Sequence, residues 1–126
     1  MAYTRLNPES GVGTVKSIWP EGKSIANSTT TDAGSVSLEA GKWVVDYGGS
    51  FAANATGQRV VACGTSDSAL NSRQAVRVRT CDSGETKLCG SIVFTLSAAS
   101  TVRLYVWQNG GGSLTFYGWM TAVRIA

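Results

Sequence analysis

No stretch of this chain holds a helical period for ten residues, while short alternating segments recur between turns throughout. That pattern restricts the chain to β architecture. It is clearest near the C-terminus. In Thr101 to Trp107, Val102, Leu104 and Val106 share one face and Arg103, Tyr105 and Trp107 the other, the period of two of a strand. Asn109 to Ser113 (NGGGS) cannot continue that strand and supplies residues tolerant of positive φ. A second strand is predicted from Phe116 to Ile125, with Trp119, Thr121, Val123 and Ile125 on one face and Met120, Ala122 and Arg124 on the other. If the aliphatic row of the first strand faces a core, Tyr105 and Trp107 face something else. A neighbouring subunit is one physical answer. The other is that both aromatics fill the core and the aliphatic row packs elsewhere.

Taken in order, residues 1–13 hold Pro8, Gly11 and Gly13 without sustained periodicity and are predicted to form an N-terminal arm; residues 14–126 form one domain. Short strands are predicted over Thr14–Trp19, Lys23–Thr31 (an edge) and Ser35–Leu38, with Asp32-Ala33-Gly34 as a turn between the last two. Lys42 to Tyr47 continues through Gly48-Gly49-Ser50 to Phe51. The paired glycines inside that strand predict a bulge or a close backbone approach. Gln58–Gly64, Gln74–Cys81 and Leu88–Leu96 follow, with a polar loop at Thr65–Ser72 and a short turn leading into a final hairpin-like unit. The total is about eight to ten strands in an all-β, antiparallel sandwich or barrel.

Composition narrows the function. Only 15% of the 126 residues are charged, well below the roughly 25% of an average soluble domain. A charge-poor surface suits a protein that buries part of itself in an assembly. The eleven basic residues form no run or stripe, so nucleic acid is not a predicted partner. No apolar run is long enough for membrane insertion, and the first ten residues lack the apolar segment of a secretory signal.

The usual chemistry of catalysis is missing. There is no histidine, which excludes Ser-His and Cys-His dyads and the common zinc sites. The carboxylates do not cluster, and most sit in turns where they hydrogen-bond backbone. No cofactor, metal or enzymatic activity is predicted. Asp46 stands apart, because it lies mid-strand in WVVDY and is expected to meet an arginine, an interface or a channel. Cys63 in VVAC reads as a small buried hydrophobe. Cys81 and Cys89 bracket what looks like a hairpin loop, at a spacing that allows a disulfide; the alternative is two free thiols.

Three segments resemble one family. Gly41-Lys42-Trp43-Val44-Val45-Asp46-Tyr47 with Ser50, Leu96 to Leu104, and Phe116-Tyr117-Gly118-Trp119-Met120 are similar, in order and spacing, to the strands of C1q/TNF-like jelly-roll domains of the phage and bacterial type. Ala99 and Ser100 stand where that family often has a glycine and an acid. The resemblance implies an antiparallel jelly roll, a homotrimer with one sheet turned toward a three-fold axis, and binding of a cell-surface glycan or protein receptor in a virion fibre or other adhesin-like part. On that view Tyr105, Trp107 and Asp46 form the trimer interface, and Ser68, Asn71, Asn109 and Ser113 lie in ligand-binding loops. The alternative expectation is a monomeric carbohydrate-binding sandwich using Trp19, Trp43 or Trp107 as a platform.

Overall fold

The computed structural model describes residues 11–79 and 84–126. The first ten residues of the predicted arm, and Cys81 with its proposed bridge to Cys89, lie outside them. The described residues form β1 (Val15–Ile18), β2 (Lys23–Ile25), β3 (Thr31–Leu38), β4 (Gly41–Phe51), β5 (Arg59–Gly64), β6 (Val76–Val78), β7 (Thr86–Leu96), β8 (Ser100–Gln108) and β9 (Leu114–Arg124). One antiparallel sheet has the order β1-β9-β4-β7, with β2 also paired to β9; the other has the order β3-β8-β5-β6. The two face each other across one core. This is the expected antiparallel jelly-roll sandwich.

Among the described strands, only the steps β1–β2 and β5–β6 stay within one sheet; every other step crosses the core. The final pair is therefore not a hairpin. β8 and β9 lie in opposite sheets, so Val102, Leu104 and Val106 meet Phe116, Met120 and Ala122 across the core. The alternation fixed which face of each strand is apolar but said nothing about which sheet receives it. β6 and β7 likewise lie in opposite sheets and do not pair as a hairpin.

Trp43, Val45, Tyr47 and Phe51 fill the centre from β4. Burying each such side chain contributes about 1.5–3 kcal/mol. The paired glycines of β4 serve close approach. A Cβ on Gly49 would stand 2.2 Å from the Phe116 ring, and one on Gly48 would stand 2.5 Å from the Leu88 carbonyl oxygen. The register of β4 runs unbroken against β7 and β9, so there is no bulge there. The bulge lies in β3, between Asp32 and Ser35, where Gly34 has φ +154° and donates its N–H to Asp32 Oδ1 at 2.9 Å. The predicted Asp32-Ala33-Gly34 turn is thus absorbed into a strand.

Two buried polar side chains close one end of the sandwich. Arg59 is fully buried and donates to the carbonyls of Asn54, Thr56 and Gln58 at 2.9, 2.7 and 3.1 Å. Gln108 donates to the carbonyls of Ile25 and Gly112 at 2.8 and 2.7 Å and accepts from the Gly110 N–H. The glycine-rich loop after β8 is therefore tied to the core by a buried amide.

Candidate functional site

The sandwich has two outer faces, and they differ. On the outer face of β1-β9-β4-β7 the strand registers align side chains into rows that run across all four strands. Val15, Val123, Val44 and Val93 stand side by side, since Val15 pairs with Val123, Val123 with Val44, and Val44 with Val93. Val15 and Val93 are 57% and 51% exposed. The next row is Ser17, Thr121, Asp46 and Ser91. Beyond it Trp19, 71% exposed, stacks on Trp119 with ring centroids 5.9 Å apart, and Trp119 is level with Gly48 and Cys89. Exposed Tyr117 continues the aromatic edge beside Ser50 and Lys87.

Gly48 leaves a floor between Trp119 and Cys89. Around it run two adjoining shallow grooves of about 610 and 410 Å³, bounded by Trp19, Asp46, Trp119, Tyr117 and Lys87. Asp46 is exposed and makes no ion pair with another described residue. Lys42 and Lys87 sit toward opposite ends of the same face.

The outer face of β3-β8-β5-β6 carries its own cover. Residues 67–71 form a 3-10 turn whose N-cap, Ser66, accepts from the Ser68 N–H at 3.3 Å. The turn lays Leu70 onto Val60, Ala62 and Tyr105, making a second small core outside the sheet. Arg77 on β6 holds the turn down by donating to the Leu70 carbonyl at 3.2 Å. The neighbour that the sequence sought for Tyr105 is thus the 65–72 segment of the same chain, and burial pushes the Tyr105 hydroxyl up from its ordinary pKa. That segment, predicted as a plain polar loop, contains Ala69 and Leu70 at the positions that reach the sheet.

The interface and ligand residues predicted from sequence separate accordingly. Asp46 lies on one outer face, and Tyr105 and Trp107 on the opposite one. Ser68, Asn71 and Trp107 come together in a cleft of about 460 Å³ with Thr30, Asp67 and Arg77. Asn109 is elsewhere and accepts from the Gln58 N–H, bracing the loops around residues 54–58. Ser113 is exposed and lines neither surface. Trp43 is fully buried, with its indole N–H donated to the Glu39 carbonyl at 2.9 Å, so it is no platform. The aromatic pair Trp19 and Trp119 and the valine row were missed as a unit, because register across four strands creates them.

Nucleophilic chemistry has little to work with here. Cys63 is buried with its Sγ 3.3 Å from Met120 Sδ, and burial pushes its thiol up to about 12. Such a thiol stays protonated and inert near neutral pH. The Tyr47 hydroxyl donates to the Gln74 carbonyl at 2.8 Å and is raised first by burial, then by Cys63. Among the described residues no group of three or more acidic, cysteine or histidine side chains is placed to hold a metal ion. No described helix is long and apolar enough to cross a membrane.

No family model and no curated protein matches the chain. Solved structures do. The chain is similar to the structure of infectious bursal disease virus Gx strain, with TM-score 0.63 and 14% identity over 98% of this chain and 36% of that one. It is similar to the Gt strain of the same virus, with TM-score 0.61 and 11% identity over 98% of this chain and 38% of that one. The VP2 subviral particle of that virus matches with TM-score 0.57 and 10% identity over 99% of this chain and 37% of that one. The chain spans a little over a third of the length of these matches. At such identities the likeness carries the fold: strand order and superposition together define an antiparallel jelly-roll β-sandwich. Within that class, these three structures come from infectious bursal disease virus.

Proposed function

We propose that this chain is a non-enzymatic structural module of a virion. In this proposal it assembles with copies of itself through the outer face of β1-β9-β4-β7. The observation that carries this is the row Val15–Val123–Val44–Val93, exposed at both ends on a sheet that no other described segment covers. Monomeric proteins rarely leave such a patch open, and interface centres are poor in charge and rich in aromatics. The fold likeness to virus-particle structures supports the setting. The occupant of the face is a second copy of the chain. Asp46 lies in the middle and Lys42 and Lys87 toward the ends, with Glu85 beside Lys87 held by the Ser50 hydroxyl, so a rotated copy can set a lysine against the Asp46 carboxylate. The arrangement is a closed C1q/TNF-like homotrimer with this sheet turned to the three-fold axis. The opposite sheet then faces outward, where a receptor can reach it.

Light scattering on a sizing column tests this. The expected mass is three times that of the chain. Val44→Lys combined with Val93→Lys reduces it to that of one chain, with the β circular-dichroism spectrum unchanged. A wild-type protein that is monomeric, or a mass that ignores the double substitution, overturns the assembly. A wild-type monomer would favour the second reading, a carbohydrate-binding sandwich built on the Trp107 cleft.

A further inference from the structure

We propose that the cleft between the 3-10 turn and the outer face of β3-β8-β5-β6 binds a neutral pyranose unit of a glycan. Its floor is a single cross-strand row. Trp107 on β8 pairs with Val60 on β5, and Val60 with Arg77 on β6. Thr30 closes the row at one end, and Asp67, Ser68, Leu70 and Asn71 form the wall. The cleft measures about 460 Å³, inside the range of about 300–1,000 Å³ typical of small-ligand sites.

A pyranose ring has an apolar C–H face and a rim of hydroxyls that each donate and accept. The cleft offers the complement. Trp107, half-buried, presents an aromatic surface flanked by Val60 and Leu70. Around it the Asp67 carboxylate, the Asn71 amide and the Thr30 hydroxyl make no side-chain hydrogen bond to another described residue. A carboxylate accepts from two hydroxyls, and an amide donates to one and accepts from another. Arg77 is already engaged by the Leu70 carbonyl and by Gln58 Oε1 at 3.4 Å, which fixes its guanidinium as one wall. One acidic and one basic side chain line the cleft, so its charges balance and a neutral sugar suits it better than an acidic one. The floor sits on a paired sheet and the wall is anchored by Leu70, so the groups are held in place before a ligand arrives.

The site does not depend on self-association, because it lies on the opposite face from the valine row. The test is a titration of the isotope-labelled full chain with methyl glycosides of glucose, galactose, mannose and N-acetylglucosamine, and separately with N-acetylneuraminic acid, read by NMR. At least one neutral glycoside is expected to shift the Trp107 indole N–H and the amides of residues 67–71, with Trp19 and Trp119 silent. Asn71→Ala, an exposed position, and Trp107→Phe, which keeps an apolar floor, each weaken that binding about tenfold. The Val44→Lys, Val93→Lys protein binds unchanged, which separates this site from the assembly. Four neutral glycosides that leave Trp107 unmoved overturn the site. Shifts produced only by N-acetylneuraminic acid overturn the neutral-sugar assignment, and shifts centred on Trp19 and Trp119 move binding to the other face.

Discussion

The two outer faces of this sandwich start from similar strands and end differently. Both carry apolar side chains pointing away from the core: Tyr105, Trp107, Val60 and Ala62 on one side, Val15, Val44, Val93, Val123 and the tryptophan pair on the other. Over the first, a five-residue 3-10 turn places Leu70 as a lid, and Tyr105 falls to 9% exposure. Over the second, the described chain places nothing, and Trp19 and Val93 remain open. An outward apolar row is therefore no signature of an interface by itself. It becomes one when the fold supplies no cover of its own.

The largest effect expected concerns the open face. Lysines at positions 44 and 93 are expected to cut the particle mass in light scattering to one third, whereas removing the lid with Leu70→Ala leaves the mass unchanged. If the lid variant dissociates the particle instead, the two faces have been assigned the wrong way round. Next in size is stability. Leu70→Ala, compared with wild type in urea unfolding, is expected to cost about 2–4 kcal/mol, because it opens a cavity over Tyr105 and Val60. Val15→Ala in the monomeric Val44→Lys, Val93→Lys background is expected to change stability by no more than about 0.5 kcal/mol, since that side chain is 57% exposed already. Equal costs at the two positions would erase the distinction between covered and uncovered face.

The cysteines sharpen the comparison. Cys89 lies on the open face and Cys63 in the core. A thiol reagent at neutral pH is expected to label Cys89 readily in the monomeric variant and several-fold more slowly in the assembled protein, while Cys63 reacts only on unfolding. Equal labelling of Cys89 in both would take it out of the interface. The smallest effect is alkaline. The Cys63 thiol is held in the folded state at about 12 against an ordinary 9.0. The unfolded chain therefore gives up that proton first, and stability is expected to fall as pH rises from 9 toward 12. Cys63→Val should flatten that slope in urea titrations across this range, and an unchanged slope would assign the loss to other groups. The raised tyrosines, Tyr47 and Tyr105, add loss of the same sign.

Much of the fold was legible in the residues. Alternation in Ser100–Gln108 and in Gly41–Phe51 identified strands and sorted their residues onto two faces, because side chains alternate across any strand whatever its partner, but left open which face is the inner one. Gly48-Gly49 announced a close approach, and Cys63 a buried thiol. Of the residues predicted for ligand loops, Ser68 and Asn71 line one cleft together with Trp107, predicted for an interface, while Asn109 accepts from the Gln58 N–H in another loop. Arg59 and Gln108 gave no warning in the sequence of being buried, since a polar side chain goes inside only where carbonyls from other segments converge on it.

The sequence by itself thus determined that the chain is all β, how the residues of its clearest strands divide between two faces, and that it is poor in charge. Those properties are local and follow from alternation and composition. Only the tertiary structure decided which strands are neighbours, that Leu70 covers Tyr105, and that four valines from four separate strands stand in one row. Pairing and register join residues far apart in the chain, and alternation carries no information about the distance between them.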